Sequence, residues 1–305
     1  MTMKVAFLGP AGTFTEAALG ELTAGSEVEP VAVDSPHAAC ALVRTGGAER
    51  ACVAIENSVD GAVTATFDAV VEGSPLQIYR EVDIPVVFSI VTRPGVELAA
   101  CRTFSTHLVA YRQVRGWLRE NLPEVDFQPA SSNAAAAQAV AAGDVDCAAV
   151  PARAAELFGL HTHAAEVADV AGAATRFVLV GPPGRPAPRT GHDRTSVIFT
   201  LPNRPGTLVG ALQEFAHRGV DMTRIESRPT RRKMGTYRFY VDLYGHIDDR
   251  PVAEALRALW LRCEKIVFLG SWPAGQADAP RPRCRISPPP MPGSAPCKPG
   301  HKTLK

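Results

Sequence analysis

The sequence predicts an α/β domain followed by a smaller domain with the element order βαββαβ. In the first 181 residues, short apolar runs alternate with helical patterns, which is typical of α/β folds. Residues 181–192 then contain four prolines and three glycines, a composition typical of a linker. Beyond them, two helical patterns separate four strand-like runs. We therefore expect a first domain over 3–181, a linker over 182–193 and a second domain over 194–273.

Each element of the first domain is predicted from the spacing of its apolar residues and from the residues at its ends. Strands are expected over 5–8, 51–55, 85–91, 146–150 and 177–180, where apolar runs meet turn residues. Helices are expected over 14–24, 63–71 and 107–120. Three more are expected from Ser35 to Gly46, from Ser132 to Gly143 and from Pro151 to Gly159. The alternation predicts mainly parallel sheets, with clefts at the carboxyl ends of the strands.

The second domain reads as a ferredoxin-like unit. Strands are expected over 195–201, 220–227, 236–244 and 265–269, and a helix over 250–262. Another helix is expected after Asn203 as the N-cap, with Pro205 in its first turn. The basic run 231–233 is predicted to be a solvated hairpin tip.

Composition and charge exclude several classes of protein. The chain has 305 residues and a net charge of +1, but residues 274–305 alone carry six Lys or Arg, one Asp and eight prolines. We expect this segment to be disordered. The remaining body is mildly acidic, which disfavours nucleic-acid binding, although a nucleic-acid or membrane role of the tail stays open. No apolar run approaches the ~18 residues of a membrane span, and no secretory signal pattern opens the chain, so we expect a cytoplasmic protein.

Metal and cofactor motifs are not found in the sequence. The seven cysteines are odd in number and include no C-x-x-C, so neither a disulfide framework nor a thiolate zinc site is expected. Cys52 and Cys147 lie in apolar runs and are predicted to be buried. His161 and His163 lie in a predicted polar connection, where a metal site is disfavoured. The glycine spacings of nucleotide-binding loops are absent, and no cofactor is expected.

Three polar clusters follow or enter predicted strands of the first domain. Residues 9–13 combine glycines with a helix start, which favours an anion, although a plain turn explains them equally well. Residues 56–61, with Thr64 and Thr66 beyond them, offer neutral donors for carboxylates, and helix capping explains only some of them. Residues 173–177 place the hydroxyl of Thr175 next to the guanidinium of Arg176. None of these clusters forms an evident nucleophile and base pair.

Taken together, the clusters resemble one family. Segment 7–17 is similar to the opening of prephenate dehydratases, and so are Ile-Glu-Asn-Ser at 55–58 and Thr-Arg-Phe at 175–177. The second half resembles an ACT regulatory domain, with Gly-Thr-Leu-Val at 206–209 in place of Gly-Ala-Leu-Val and Glu-Ser-Arg-Pro at 226–229. The resemblance covers about 3–273, and five motifs occur in the family's order.

The resemblance implies a two-lobed, periplasmic-binding-protein-like catalytic domain followed by a ferredoxin-like ACT domain. It implies conversion of prephenate to phenylpyruvate, CO2 and water in phenylalanine biosynthesis, without metal or organic cofactor. The family's catalytic threonine corresponds to Thr175. The residues that correspond to the family's substrate pocket are Thr13, Asn57, Ser58, Gly61, Thr66, Thr106, Gln113, Arg176 and Phe177. For Arg176, pairing with a substrate carboxylate and a structural role both stay open.

The resemblance also implies regulation and assembly. It implies that L-phenylalanine binds between ACT domains of neighbouring subunits and inhibits allosterically, in a homodimer or homotetramer formed through ACT and catalytic domains. The corresponding effector residues are Asn203, Gly206, Thr207, Leu208, Val209, Glu226, Ser227, Arg228 and Pro229. Two alternatives are arogenate dehydratase, whose substrate carries an amino group in place of the ketone, and a non-catalytic amino-acid sensor.

Overall fold

Two α/β lobes make up the first 181 residues. The computed structural model describes residues 2–230 and 234–275. The first lobe has a mixed sheet in the order β2-β1-β3-β11-β5, with β4 paired to β3. Its elements are β1 (Met3–Leu8), α1 (Phe14–Leu22), β2 (Val28–Val33), α2 (Pro36–Thr45), β3 (Arg50–Asn57), β4 (Gly61–Ala62), α3 (Thr64–Val71), β5 (Gln77–Pro85) and, much later in the chain, β11 (Ala174–Gly181).

The second lobe is inserted between β5 and β11. Its sheet has the order β10-β6-β9-β7-β8. Its elements are β6 (Phe88–Thr92), β7 (Thr103–His107), α4 (Leu108–Asn121), β8 (Asp126–Ala130), α5 (Asn133–Ala142), β9 (Cys147–Val150), α6 (Ala152–Leu157) and β10 (His161–Val167). The two-lobed fold expected from the resemblance is therefore confirmed.

The chain crosses between the lobes twice, and this corrects one predicted strand. The apolar run 85–91 was expected to be a single strand, but β5 ends at Pro85 in one sheet and β6 begins at Phe88 in the other. The two crossings lie side by side, since the Val86 amide donates to the Ala173 carbonyl at 2.7 Å. Periodicity cannot locate such a crossing because both flanking segments are buried and apolar.

The sheets are mixed, whereas mainly parallel sheets were expected. In the first lobe β1 runs parallel to β2 and β3, but β11 runs antiparallel to both of its neighbours, β3 and β5. In the second lobe β7 is parallel to β8 and β9, while β6 is antiparallel to β9 and β10. The antiparallel pairs arise where the chain enters or leaves a lobe directly, without a crossover helix.

Six strands were not predicted: β2, β4, β5, β7, β8 and β10. Four of them, β2, β5, β8 and β10, lie at the ends of their sheets, where exposed polar residues and proline obscure a strand pattern. His161 and His163, expected in a connection, lie in the edge strand β10, and their rings meet at a centroid distance of 4.6 Å. The Nε2 atom of His163 is 2.9 Å from the Thr92 hydroxyl.

Helix boundaries in the first domain agree closely with prediction. The Ser35 and Ser132 hydroxyls accept hydrogen bonds from the amides of Ala38 and Ala135 and cap α2 and α5. Both helices end at a glycine with positive φ. Among the described residues, no helix is long and apolar enough to cross a membrane.

The second domain has the predicted order βαββαβ. Its elements are β12 (Asp193–Thr200), α7 (Thr207–Ala216), β13 (Met222–Pro229), β14 (Tyr237–Tyr244), α8 (Arg250–Trp260) and β15 (Lys265–Pro273). The strands form an antiparallel sheet in the order β13-β14-β12-β15, so the ferredoxin-like prediction is confirmed. The predicted hairpin tip 231–233 lies outside the described residues. So do residues 276–305 of the predicted disordered tail.

The start of α7 differs from prediction. Gly206, with φ of 82°, occupies the N-cap position that was expected for Asn203. The reason is local: the Thr207 hydroxyl is 3.0 Å from the carbonyl oxygens of both Pro202 and Arg204, which holds residues 202–206 in a turn. A positive φ of this kind favours glycine.

One face of the sheet in the second domain, formed by β12 to β15, packs against the first lobe. Ile198, Tyr240 and Trp272 share a buried cluster with Phe67 and Ile78 of the first lobe. At Gly270 a Cβ atom would collide with the Ile78 carbonyl oxygen, so β15 approaches β5 closely only because this residue is glycine. The two domains thus share a core.

Candidate active site and effector site

The centre of the candidate active site is a hydrogen bond between two neighbouring strands. Thr175 of β11 lies opposite Asn57 of β3 in the strand register. The Asn57 Nδ2 atom donates to the Thr175 hydroxyl at 2.8 Å. Thr175 is buried, with 9% of the residue exposed.

The orientation of the Asn57 amide determines what the Thr175 hydroxyl can do. The Asn57 Oδ1 atom accepts hydrogen bonds from the amides of Val59 and Asp60, at 2.8 and 3.0 Å. The network therefore turns the Nδ2 donor toward Thr175. Because the Thr175 oxygen accepts this bond, the hydroxyl hydrogen is left to be donated to another group.

Ser58 and Gly61 shape the loop that carries Asn57. The Ser58 amide donates to the Ala174 carbonyl at 2.9 Å, and the Ala174 amide donates to the Ser58 hydroxyl at 3.0 Å. Gly61, with φ of 81°, lies in the short strand β4 and pairs with Asn57 of β3. The Ser58 side chain therefore fastens the loop to β11 directly beside Thr175.

Arg176 and Phe177 point into the protein. The Arg176 guanidinium binds Asp83 through two hydrogen bonds, at 2.9 and 3.2 Å, and lies 3.4 Å from Glu56. Burial alone would lower the pKa of Arg176, but the carboxylates of Glu81, Asp83 and Glu56 together raise it above its usual range. Phe177 is buried in the core of the first lobe. The structure thus favours the structural role for Arg176.

A cavity of about 590 Å³ separates the two lobes. Thr13 lines it from the first lobe, and His107, Ser132 and Asn133 line it from the second. Thr13, His107 and Ser132 are the N-caps of α1, α4 and α5. Three helix N-termini therefore meet one cavity, and their partial positive charge favours an anion. Thr175 and Asn57 are not among the residues that line this cavity.

His107 and Ser132 were not among the residues expected at the site. His107 Nδ1 accepts from the Val109 amide at 3.3 Å, so in the neutral ring Nε2 carries the hydrogen. Their position in the sequence could have indicated a place at the site, since each follows a strand or a turn and immediately precedes a helix.

Three further predicted pocket residues, Thr66, Thr106 and Gln113, are also buried. The Thr66 hydroxyl donates to the Ala54 carbonyl, and the Thr106 hydroxyl donates to the Ala149 carbonyl at 2.7 Å. Both therefore stabilise strands. Gln113 on α4 is 2% exposed, and neither its Oε1 nor its Nε2 atom has a hydrogen-bond partner among the described residues. An unpaired buried amide costs about 1–3 kcal/mol, which makes Gln113 a candidate for contact with a ligand.

A second, smaller cavity lies in the ACT-like domain. Its volume is about 200 Å³, and Tyr237 and Phe239 of β14 form part of its wall. Five predicted effector residues also line it: Asn203, Gly206, Thr207, Leu208 and Val209. The structure thus brings these five together at the start of α7.

The other four predicted effector residues, Glu226 to Pro229, lie on the edge strand β13 and do not line this cavity. Arg228 points toward the first lobe. Its guanidinium donates to the Thr64 carbonyl at 2.8 Å and lies 3.4 Å from the Asp68 carboxylate, both on α3.

Cysteine and metal chemistry are not evident in the part of the chain that the structure describes. Burial raises the pKa of the Cys52 thiol to about 12, and the pKa of the Cys147 thiol also rises on burial. No group of three or more His, Cys, Asp or Glu side chains within residues 2–230 and 234–275 is arranged to hold a metal ion.

A two-lobed domain with an interlobe cavity at which three helices begin, joined to an ACT-like domain, defines a class of ligand-binding α/β proteins. Comparison with known families narrows this class. Residues 5–185 match the model of the family described as prephenate dehydratase, and residues 195–261 match the ACT domain. The chain belongs to the prephenate dehydratase family.

Several individual proteins are similar to this chain over most of its length. The prephenate dehydratase of Corynebacterium glutamicum is 56% identical over 92% of this chain and 90% of its own. The crystal structure of Arthrobacter aurescens prephenate dehydratase in complex with L-Phe is 42% identical, with a TM-score of 0.84, and the match covers 89% of this chain and 90% of that one. A quorum-quenching acylase, GqqA, is 32% identical, with a TM-score of 0.80, over 90% of this chain and 100% of its own.

Proposed function

We propose that this protein converts prephenate to phenylpyruvate, CO2 and water, and that L-phenylalanine regulates it through the ACT domain. Membership of the family and the 56% identity to a prephenate dehydratase support the reaction. The observation that carries the mechanism is the hydrogen bond from Asn57 to Thr175. It leaves the Thr175 hydroxyl as a donor.

The substrate needs anion binding and one well-placed donor. Prephenate is a dianion with a ring carboxylate, a pyruvyl carboxylate and a ring hydroxyl. The helix N-termini at Thr13, His107 and Ser132 are suited to bind a carboxylate, and the unpaired amide of Gln113 supplies another polar contact.

In the reaction, the bond between the ring and its carboxylate carbon breaks and CO2 leaves. The electron pair of the broken carbon–carbon bond stays in the ring. The carbon–oxygen bond at the opposite ring position breaks, and the ring becomes aromatic. The departing hydroxide takes up a proton to become water. A threonine hydroxyl is a weak acid, so we assign Thr175 the role of hydrogen-bond donor to this oxygen, relaying a proton from water. One positioned donor contributes on the order of 10²–10³ in rate.

The regulatory part of the proposal places L-phenylalanine at the start of α7. Support comes from the cavity lined by Gly206 to Val209 and from the relative whose structure holds L-Phe. Val209 is 60% exposed and Ile225 on the edge strand is 46% exposed. We propose that a second subunit covers them, so that its Glu226, Ser227 and Pro229 complete the site in a dimer or tetramer. Our assignment for Arg228 is contact with α3.

The domain limits and location belong to the same proposal. We propose a catalytic domain over 3–181, a linker over 182–193 and an ACT domain over 194–273, and the family matches at 5–185 and 195–261 support this division. A cytoplasmic location and a lack of nucleic-acid partners rest on the odd cysteine count and the acidic body of the chain.

Substrate competition tests the proposed reaction. Purified protein is incubated with prephenate, arogenate or an N-acyl quorum signal, and products are measured by ultraviolet absorbance in base, amino-acid analysis and mass spectrometry. We expect phenylpyruvate from prephenate at the highest kcat/KM. Preferred turnover of arogenate would make the protein an arogenate dehydratase, and release of the acyl chain would favour the activity of GqqA. Binding of amino acids without turnover of any substrate would make it a sensor.

A further inference from the structure

Arg176, Glu56, Asp83 and Glu81 form a layer of charged side chains on one face of the first-lobe sheet. Thr175 lies on the other face of the same sheet. Successive residues of a strand point to opposite faces. Thr175 therefore faces Asn57, while Arg176 faces its register partners Glu56 and Asp83. Glu81 lies two residues before Asp83 on β5 and points to the same face, 3.9 Å from the Arg176 guanidinium.

Glu81 connects this layer to the ACT domain. Its side chain is fully buried and accepts three hydrogen bonds from beyond the linker. Arg194 Nε on β12 lies 3.0 Å from the carboxylate, Trp272 Nε1 on β15 lies 2.8 Å from it, and the Gly275 amide lies 2.6 Å from it. The Arg194 side chain is also fully buried. One carboxylate thus contacts both domains.

The ACT domain adds a cation to a cluster of the catalytic domain in which carboxylates are in excess. Within the described contacts, Glu56, Glu81 and Asp83 supply three carboxylates that surround one guanidinium of the catalytic domain, that of Arg176. Arg194 supplies the second. A buried carboxylate that loses its partner is costly, since breaking one side of a buried ion pair typically costs 3–5 kcal/mol. Without Arg194, the cation that remains beside Glu81 in the described contacts is the Arg176 guanidinium, 3.9 Å away.

Arg176 cannot move independently of Thr175 because the two are adjacent in β11. If Glu81 drew the guanidinium away from Asp83, the 2.9 Å bond that anchors this end of the strand would lengthen. The Thr175 hydroxyl would then shift relative to Asn57. A misplacement of about 1 Å in a catalytic group costs up to 10²-fold in rate.

We propose that Arg194 of the ACT domain is a positioning residue for Thr175, which acts through Glu81 and Arg176. The inference rests on the proposed function in that Thr175 is taken as the catalytic donor. It assigns the ACT domain a role in the basal activity in addition to effector binding.

A double-mutant cycle of charge-neutralising substitutions tests the proposal. Arg194→Met removes the guanidinium, Glu81→Gln removes the carboxylate, and the double variant removes both and restores the original net charge of the cluster. In Arg194→Met we expect kcat to fall about 10-fold or more with KM changed less than about 3-fold. In the double variant we expect kcat to return to within about 3-fold of the wild type. An unchanged kcat in Arg194→Met, or a double variant no better than that single variant, would overturn the proposal.

A second buried arginine of the same sheet provides the matched control. Arg224 forms a bidentate ion pair with Asp242, at 2.8 and 3.0 Å, and also faces the first lobe, with its guanidinium 4.5 Å from the ring centroid of Phe67. It has no hydrogen bond or ion pair to Glu81 among the described contacts. Arg224→Met should lower the melting temperature like Arg194→Met but leave kcat within about 3-fold. An equal loss of kcat in the Arg194→Met and Arg224→Met variants would mean that Arg194 acts only through general stability. This result would overturn the proposal.

A readout without turnover separates this inference from the proposed function. The Thr175 methyl resonance in a methyl-labelled protein is assigned by its loss in Thr175→Ser. It should shift in Arg194→Met, stay in place in Arg224→Met and return in the double variant, whether or not prephenate is turned over. If Arg194→Met does not fold, Trp272→Phe removes one donor to Glu81 while keeping an aromatic ring in place, and it should shift the same resonance. A resonance that stays in place in every folded variant would overturn the proposal.

Discussion

Replacing Thr175 by valine removes one hydroxyl while keeping the shape of the side chain. The mechanism predicts the loss of one donor to the departing oxygen, so kcat should fall by about 10²–10³, equivalent to about 2.7–4 kcal/mol. The substitution also leaves the Asn57 Nδ2 atom without its acceptor at 2.8 Å. Because Asn57 is only half-buried, that loss should cost about 1 kcal/mol. A change of this size lowers the melting temperature by about 1–2 °C in a protein of 305 residues.

The two effects are measured separately. Phenylpyruvate formation at a series of prephenate concentrations gives kcat and KM, and thermal unfolding gives the stability. Because Thr175 is assigned to the leaving oxygen, KM should stay within about 3-fold.

Thr175→Ser is the matched control, since it keeps the hydroxyl and removes only the methyl group. We expect it to retain kcat within about 10-fold of the wild type. The reasoning fails if Thr175→Val keeps near-wild-type kcat, or if the serine and valine variants are equally impaired.

Three further predictions concern other parts of the molecule. In Asn57→Asp, a carboxylate oxygen would replace the Nδ2 donor and capture the Thr175 hydrogen, so kcat should fall about 10²-fold, and wild-type kcat would contradict this. Gly206→Ala places a Cβ at φ of 82°, which should cost about 1–2 kcal/mol and weaken inhibition in a phenylalanine titration; an unchanged titration and melting temperature would contradict this. Backbone hydrogen bonds from Arg102 and Thr103 hold the pKa of Asp146 below its ordinary value near 3.8. Its stabilisation is therefore present above that value and is lost as pH falls through the depressed one. Asp146→Asn should lower the melting temperature at pH 7, with a gap that narrows toward pH 3, and a gap independent of pH would refute it.

Local features of the sequence were sufficient to predict most helices and the class of the fold. Ser35 and Gly46 bound α2 as predicted, because an N-cap hydroxyl and a glycine with positive φ act within a single turn. The order βαββαβ could be predicted for the same reason, since the spacing of apolar residues within a segment indicates whether that segment is a helix or a strand. The start of α7 was the exception, because the Thr207 hydroxyl binds carbonyls of the preceding turn, and this contact is not encoded in the capping pattern.

The candidate site could be predicted in part. Motif order pointed to Thr175 and Asn57, and the structure brings them within 2.8 Å. The sequence did not distinguish which way Arg176 points, nor that Thr66 is used by the backbone of β3. Such roles depend on which side of a strand or helix faces the cavity, and several residues of one motif necessarily face away from it.

The sequence by itself determined the order of the two domains, most of their helices and the motifs that carry the family's chemistry, because these depend on neighbours within a few residues. Only the tertiary structure decided where the chain crosses between lobes at Val86 and Val87, and how strands from distant segments pair. It alone placed Arg194 against Glu81, which lies 113 residues earlier in the chain. Charge pairing at that separation depends on the packing of one sheet against another and leaves no local pattern. The electrostatic link between the ACT domain and Thr175 is therefore a property of the folded chain.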